Sequence, residues 1–247
     1  MTEHITTTQA EGVLTLRMNR PDKRNALTLA MYTALADALT AAQTNDEVRA
    51  VLITGAGGTF TAGNDLADFM QNPPTGTDSP VFAFLQAIST AAKPLVAAVE
   101  GHAVGVGTTM LLHCDLVYAT PGARFKLPFV DLGLVPEAAS TLLLPELMGH
   151  QAAARLLLLG ETLNAPTAAL YGLVSEVLEG DIKAAALEKA QALAAKPPHV
   201  LRLTKRLMKQ HQAEAVQAAM LTEGQHFIEL LRSPETMQAI QAFFNQR

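Results

Sequence analysis

Three short apolar runs, Ala50-Val51-Leu52-Ile53-Thr54, Leu95-Val96-Ala97-Ala98-Val99 and Asp115-Leu116-Val117-Tyr118-Ala119, recur in the first half of the chain with helical patterns between them. Strands buried on both faces read as such runs, and strands separated by helices pair in parallel through crossover connections. The order therefore predicts an α/β core. Before these runs, Gly12-Val13-Leu14-Thr15-Leu16-Arg17-Met18 alternates apolar and polar residues and stops at the Pro21-Asp22 turn, as a strand does. Thr28 reads as the N-cap of a helix through Gln43, with Leu29, Tyr32, Leu35, Ala36 and Leu39 on one stripe. Further helices are expected from about Val81 and from near Gly105. From Ser140 onward the chain reads as almost all helix, at about 181–195, 198–210, 213–231 and 234–245, with one short strand at Leu173-Val174-Ser175-Glu176-Val177. The Pro-rich stretch 71–80 suits a loop over an active site better than a domain boundary.

Composition narrows the partners. A net charge of −5 gives no basic footprint for nucleic acid. The lone Cys114 excludes an intrachain disulfide and fits a reducing compartment. The N-terminus lacks the pattern of a secretory signal, and no stretch approaches the ~18 apolar residues of a spanning helix. A cytoplasmic protein without membrane contact is expected.

Chemistry is concentrated in three strings. Phe60-Thr61-Ala62-Gly63-Asn64-Asp65-Leu66 and Ala103-Val104-Gly105-Val106-Gly107 carry small residues and glycines that let backbone amides approach a ligand oxygen, and Leu134-Val135-Pro136-Glu137 places a carboxylate among apolar neighbours. Together they suit enolate chemistry. On the residues alone, the glycines equally suit a tight turn and a helix packing contact, and Glu137 could cap a helix beginning near Ser140. Gly55-Ala56-Gly57-Gly58 lacks the Gly-Lys-Ser/Thr of a phosphate loop, and Met110 stands where a dinucleotide fingerprint needs its third glycine. His102, His150, His199, His211 and His226 show no ligand spacing, so no metal is expected. Cys114, beside His113 and Asp115, reads as a small buried hydrophobe rather than a nucleophile.

In order and spacing, these strings, with Arg20-Pro21-Asp22-Lys23-Arg24-Asn25-Ala26-Leu27 and Ala168-Ala169-Leu170-Tyr171-Gly172-Leu173-Val174, resemble the crotonase superfamily of enoyl-CoA hydratases and isomerases. The resemblance implies a spiral core of repeated ββα units over residues 1–190 and a C-terminal helical region, 191–247, that builds a homotrimer or a dimer of trimers. It implies an acyl-CoA thioester substrate and no cofactor beyond that CoA. The two oxyanion donors fall on the amides of Ala62 and Val106. The two hydratase glutamates fall on Thr109 and Phe129, neither of which can move a proton. Glu137, with Ala62-Gly63-Asn64-Asp65-Leu66 and Asn72-Pro73-Pro74, resembles instead the peroxisomal-type Δ3,Δ2-enoyl-CoA isomerases, in which one carboxylate shuttles a proton. The same resemblance assigns Lys23, Arg24, Ala26, Asp65, Leu66, Phe129 and Phe243 to substrate or CoA binding. Asp131 is the second candidate carboxylate. Ala138-Ala139 departs from the family, where glycine is frequent.

Overall fold

The computed structural model describes residues 3–74, 76 and 78–245. Its strands are β1 (Ile5–Ala10), β2 (Val13–Met18), β3 (Ala50–Gly55), β4 (Leu95–Val99), β5 (His102–Val104), β6 (Leu116–Ala119), β7 (Arg124–Lys126), β8 (Leu163–Asn164) and β9 (Glu176–Val177). Its helices are α1 (Leu29–Thr44), α2 (Leu66–Gln71), α3 (Pro80–Ser89), α4 (Val106–Thr109), α5 (Ser140–Met148), α6 (His150–Leu157), α7 (Ala165–Leu170), α8 (Ile182–Ala194), α9 (Pro198–Lys209), α10 (Ala213–Leu230) and α11 (Pro234–Asn245).

The apolar runs form the centre of a six-stranded sheet of order β1-β2-β3-β4-β6-β9, parallel except for the β1–β2 hairpin. A smaller sheet, β5-β7-β8, lies beyond their ends. Leu52 pairs with Val96 and Val96 with Leu116 in the large sheet, and Thr61 pairs with Ala103 and Ala103 with Phe125 beside it. Each pass of the chain thus runs through the large sheet, turns, touches the small one and enters a helix, which is the repeated ββα plan. Between β4 and β5 only Glu100 and Gly101 intervene. Gly101 has φ +58°, and a Cβ there would lie 2.4 Å from the Gly58 carbonyl oxygen, so the corner requires glycine.

The sheet buries both faces. Ile182, Ala186, Ala190 and Ala194 of α8 pack on Val13, Leu52, Val96 and Ala98, while α1 and α3 cover the other side and meet through the Tyr32 and Phe84 rings. The Thr28 hydroxyl accepts from the Met31 amide at 3.3 Å and caps α1 as expected. The expected division after residue 190 falls inside α8, whose last turn packs on the same sheet as its first.

Several elements differ from the sequence reading. In β1 only Ile5 is buried, so its polar sequence shows no alternation, and its place is set by the two-residue Glu11-Gly12 turn, where both φ angles are positive. The strand expected at 173–177 shortens to β9, with Leu173 and Val174 buried in the preceding turn. The helix expected near Gly105 is the single turn α4, continued by a 3₁₀ turn over Met110–His113. No helix among the described residues is long and apolar enough to cross a membrane.

Candidate active site

Asn25 organises the first wall of the site. It is buried, with its Nδ2 donating to the carbonyls of Ala56 (2.9 Å), Thr59 (2.9 Å) and Phe60 (3.2 Å) and its Oδ1 accepting from the Arg20 amide. The Thr61 hydroxyl donates to the Asn25 carbonyl at 2.7 Å. Loop 20–27 is thereby fastened along residues 56–65. Those residues run in turn beside β5, through Thr61 N to His102 O (2.9 Å) and Val104 N to Thr61 O (3.1 Å). The glycines permit this approach: a Cβ on Gly63 would lie 2.7 Å from the Val104 oxygen, and one on Gly107 would lie 2.4 Å from Thr61 Cγ2.

The fastening corrects one expectation. The Ala62 amide is spent on the Arg24 carbonyl at 2.9 Å and is not free for a substrate. Gly63 N donates to Thr61 Oγ1 and Asp65 N to the Leu27 carbonyl. Between Thr61 and Asp65, the amide without a partner among the described residues is that of Asn64. Across the seam, Val106 opens α4, where an amide has no acceptor within the helix. It has no other partner among the described residues.

Glu137 sits at the head of the turn entering α5 and is buried at 7% exposure. The Thr109 hydroxyl donates to its Oε1, while its Oε2 has no partner among the described residues. Burial pushes the Glu137 carboxyl up to about 8, against the lowering effect of the Thr109 hydrogen bond and with a smaller upward push from the Glu223 charge. Its carboxylate does not cap α5, which has no side-chain cap. Glu137 shares with Asn64 a cavity walled by Pro74, Phe82, Met220 and Phe227, with about 10 Å³ of free space, room for roughly one water. A larger cavity of about 700 Å³, between α9, α10 and residues 89–92, touches neither Glu137 nor the two free amides.

A buried acid beside two free amides fits proton transfer on a carbonyl compound. Residues 8–247 match the enoyl-CoA hydratase/isomerase family model. The chain belongs to this family. The 2,3-dehydroadipyl-CoA hydratase of Escherichia coli (strain K12) is 36% identical over 252 residues, spanning 100% of this chain and 97% of the relative. Enoyl-CoA delta isomerase 2 of Rattus norvegicus is 35% identical over 250 residues, which cover 98% of this chain but 64% of that longer protein. The solved structure of Pseudomonas aeruginosa OdaA superposes with a TM-score of 0.95 at 46% identity, covering 98% and 99% of the two chains. These relatives make the protein a crotonase-family acyl-CoA enzyme.

In this enoyl-CoA hydratase/isomerase member, the remaining expected residues fall as follows. Thr109 and Phe129 are buried, and the Gly105 Cβ position lies 4.0 Å from the Phe129 ring. Asp65 caps α2 through the Ala67 and Asp68 amides and pairs with Arg20 at 2.6 Å. Burial opposes its charge, but the Arg20 hydrogen bond and the α2 amides win and hold its carboxyl below the usual range. Leu66 begins α2. Lys23 and Arg24 are exposed at the outer lip of the loop and Ala26 is half-buried. The Phe243 side chain lies outside the described residues. Asp131 is exposed and pairs with Lys126 at 3.6 Å, away from the Glu137 cavity. Burial pushes the Cys114 thiol up to about 12, which excludes a thiolate at neutral pH. Sequence reasoning missed the Thr109–Glu137 bond, the Asn64 amide and the locking role of Asn25. An asparagine in the short loop before Thr28 carries no signal of its carbonyl partners, which lie about thirty positions away.

Proposed function

We propose that the enzyme converts a 3-enoyl-CoA to the trans-2-enoyl-CoA, with Glu137 as its one proton shuttle, in fatty acid degradation. The observation that carries this reading is the buried Glu137 carboxylate, with Thr109 bonded to one oxygen and the other without a partner among the described residues, while Thr109 and Phe129 stand at the positions where a hydrating enzyme of the family needs acids. The thioester oxygen would accept from the Asn64 and Val106 amides, each such donor contributing about 3 kcal/mol to a preorganised oxyanion site. Ionised Glu137 takes a proton from C2, the electrons pass to the thioester oxygen, and the same carboxyl returns the proton to C4 as the double bond moves to C2–C3. No proton is gained or lost overall. Thr109 holds Oε1 and so leaves Oε2 to face the substrate. By the family resemblance, Lys23 and Arg24 would meet CoA phosphates, and Ala26, Leu66, Phe129 and Phe243 would contact the rest of the ligand, with Asp65 capping α2. A homotrimer or dimer of trimers in the cytoplasm, with no cofactor beyond the substrate's CoA, completes the reading.

A second reading, hydration, is favoured by the hydratases among the relatives and the solved structures. Parallel assays decide between them. The enzyme should isomerise a 3-enoyl-CoA much faster than it hydrates crotonyl-CoA, and Glu137→Gln should lower isomerase kcat about 100-fold or more with CoA affinity nearly intact. Equal hydration and isomerisation rates would sink the one-carboxylate mechanism.

A further inference from the structure

The turn that aims Glu137 is built from residues that disfavour its shape. Ala138 and Ala139 have φ +62° and +57°, left-handed conformations that glycine adopts freely and alanine does not. Two side chains from distant elements grip this turn. The His113 ring, in the 3₁₀ turn after α4, bonds the Ala138 carbonyl through Nε2 at 2.9 Å. From α10, Glu223 Oε2 accepts from the Ala139 amide at 2.7 Å, and its Oε1 accepts from the Thr141 amide at 2.9 Å and the Thr141 hydroxyl at 2.5 Å. Glu223 is itself buried. Helix α10 is in turn fixed against the cavity wall: a Cβ on the neighbouring Gly224 would lie 2.3 Å from the Phe82 ring, and Phe227 meets Phe69 edge to face at 6.0 Å.

We propose that Glu223 is a positioning residue whose carboxylate clamps the Ala138-Ala139 turn, doing with hydrogen bonds what glycine would do by conformational freedom, and so fixes the reach of Glu137. The inference rests on Glu137 being the catalytic acid/base. A glutamine at 223 keeps an acceptor for Thr141 but turns a donor toward the Ala139 amide, so the clamp fails on one side. It also removes an anion from the surroundings of Glu137. The other groups facing Glu137 are the Thr109 hydroxyl from α4 and Tyr32 from α1. His113 on the far side of the turn is neutral, since burial pushes it down to about 4.

The test compares wild type, Glu137→Gln, Glu223→Gln and the triple variant Glu223→Gln/Ala138→Gly/Ala139→Gly, with a 3-hexenoyl-CoA as substrate across pH. Glu223→Gln should lower kcat about tenfold or more with KM within about twofold, and the acid limb of kcat/KM should move to lower pH because a neighbouring anion is gone. The two glycines should restore most of kcat, while the shifted limb should persist because the charge is still absent. A purely structural role predicts no rescue by the two glycines, whereas the limb shift reports the lost charge alone. If Glu223→Gln does not fold, the triple variant is measured directly: a folded, active triple supports the clamp, and one that also fails to fold overturns it. Full activity in Glu137→Gln removes the base assignment. An inactive Glu137→Gln with an unchanged Glu223→Gln, or a triple without rescue, overturns the clamp alone.

Discussion

Glu137 is held where its own charge is penalised, and that penalty is measurable without substrate. Its carboxyl sits at about 8 in the folded chain against 4.5 for the free side chain. Between those values the native state keeps a proton that the unfolded state has released, so stability falls as pH rises through the window and the loss is complete above about 8. Glutamine at 137 has no such term. The melting temperature of Glu137→Gln, minus that of wild type, should therefore climb from pH 5 to pH 9, as followed by calorimetry. A pH-independent difference would mean that Glu137 titrates as an ordinary carboxylate. Position and apolar context made Glu137 legible in the sequence. The free amide was not, because whether Ala62 or Asn64 keeps its N–H unbonded depends on where the carbonyls of Arg24 and Leu27 come to rest. That is decided by the buried Asn25 side chain, which belongs to a different segment.

At the scale of elements, the site is a seam between two chain passes, and glycine sets its width. Gly107 in α4 faces the Thr61 methyl, so Gly107→Ala drives a Cβ to 2.4 Å from Thr61 Cγ2 unless the seam opens. Overpacking of this kind costs about 1–3 kcal/mol, and displacing the Val106 amide by about 1 Å is enough to lower kcat roughly 100-fold. Thr61→Ser deletes that methyl but keeps the hydroxyl that bonds Asn25 and Gly63. The double variant Gly107→Ala/Thr61→Ser should recover most of both losses in paired kinetic and thermal measurements. A double variant no better than Gly107→Ala would place the damage elsewhere than at this contact. The strands β3, β4 and β6 were legible as continuous apolar runs because both their faces are buried, and α1 and the last four helices because their length carries a pattern over many residues. The strands β5, β7 and β8, at two or three residues, are too short to carry one, and they are the strands that frame the seam.

For the whole molecule, the question is what the C-terminal helices leave uncovered. Helix α10 holds the Glu137 turn, and Thr236 of α11 donates to the Gly133 carbonyl at 2.8 Å, so both helices complete the site of their own chain. Elsewhere, Leu158, Leu159 and Leu170 are 64%, 67% and 81% exposed. Leu147 of α5, also exposed, lies 3.3 Å from where a Cβ on Gly172 would stand, close to the end of α7 that carries Leu170. Single exposed leucines are ordinary on a monomer, whereas Leu147 and Leu170 together near one helix end favour burial against another copy. Light scattering should find trimers or hexamers in solution, and Leu170→Asp should shift the distribution to smaller species with the far-ultraviolet circular dichroism unchanged. Because Glu137, the free amides and the α10 clamp all come from one chain, kcat per subunit should survive that dissociation, with any loss confined to KM for the acyl-CoA. A chain that is monomeric at all concentrations would remove the assembly from the account, and a collapse of kcat in a folded Leu170→Asp monomer would show that a neighbouring copy completes the catalytic site.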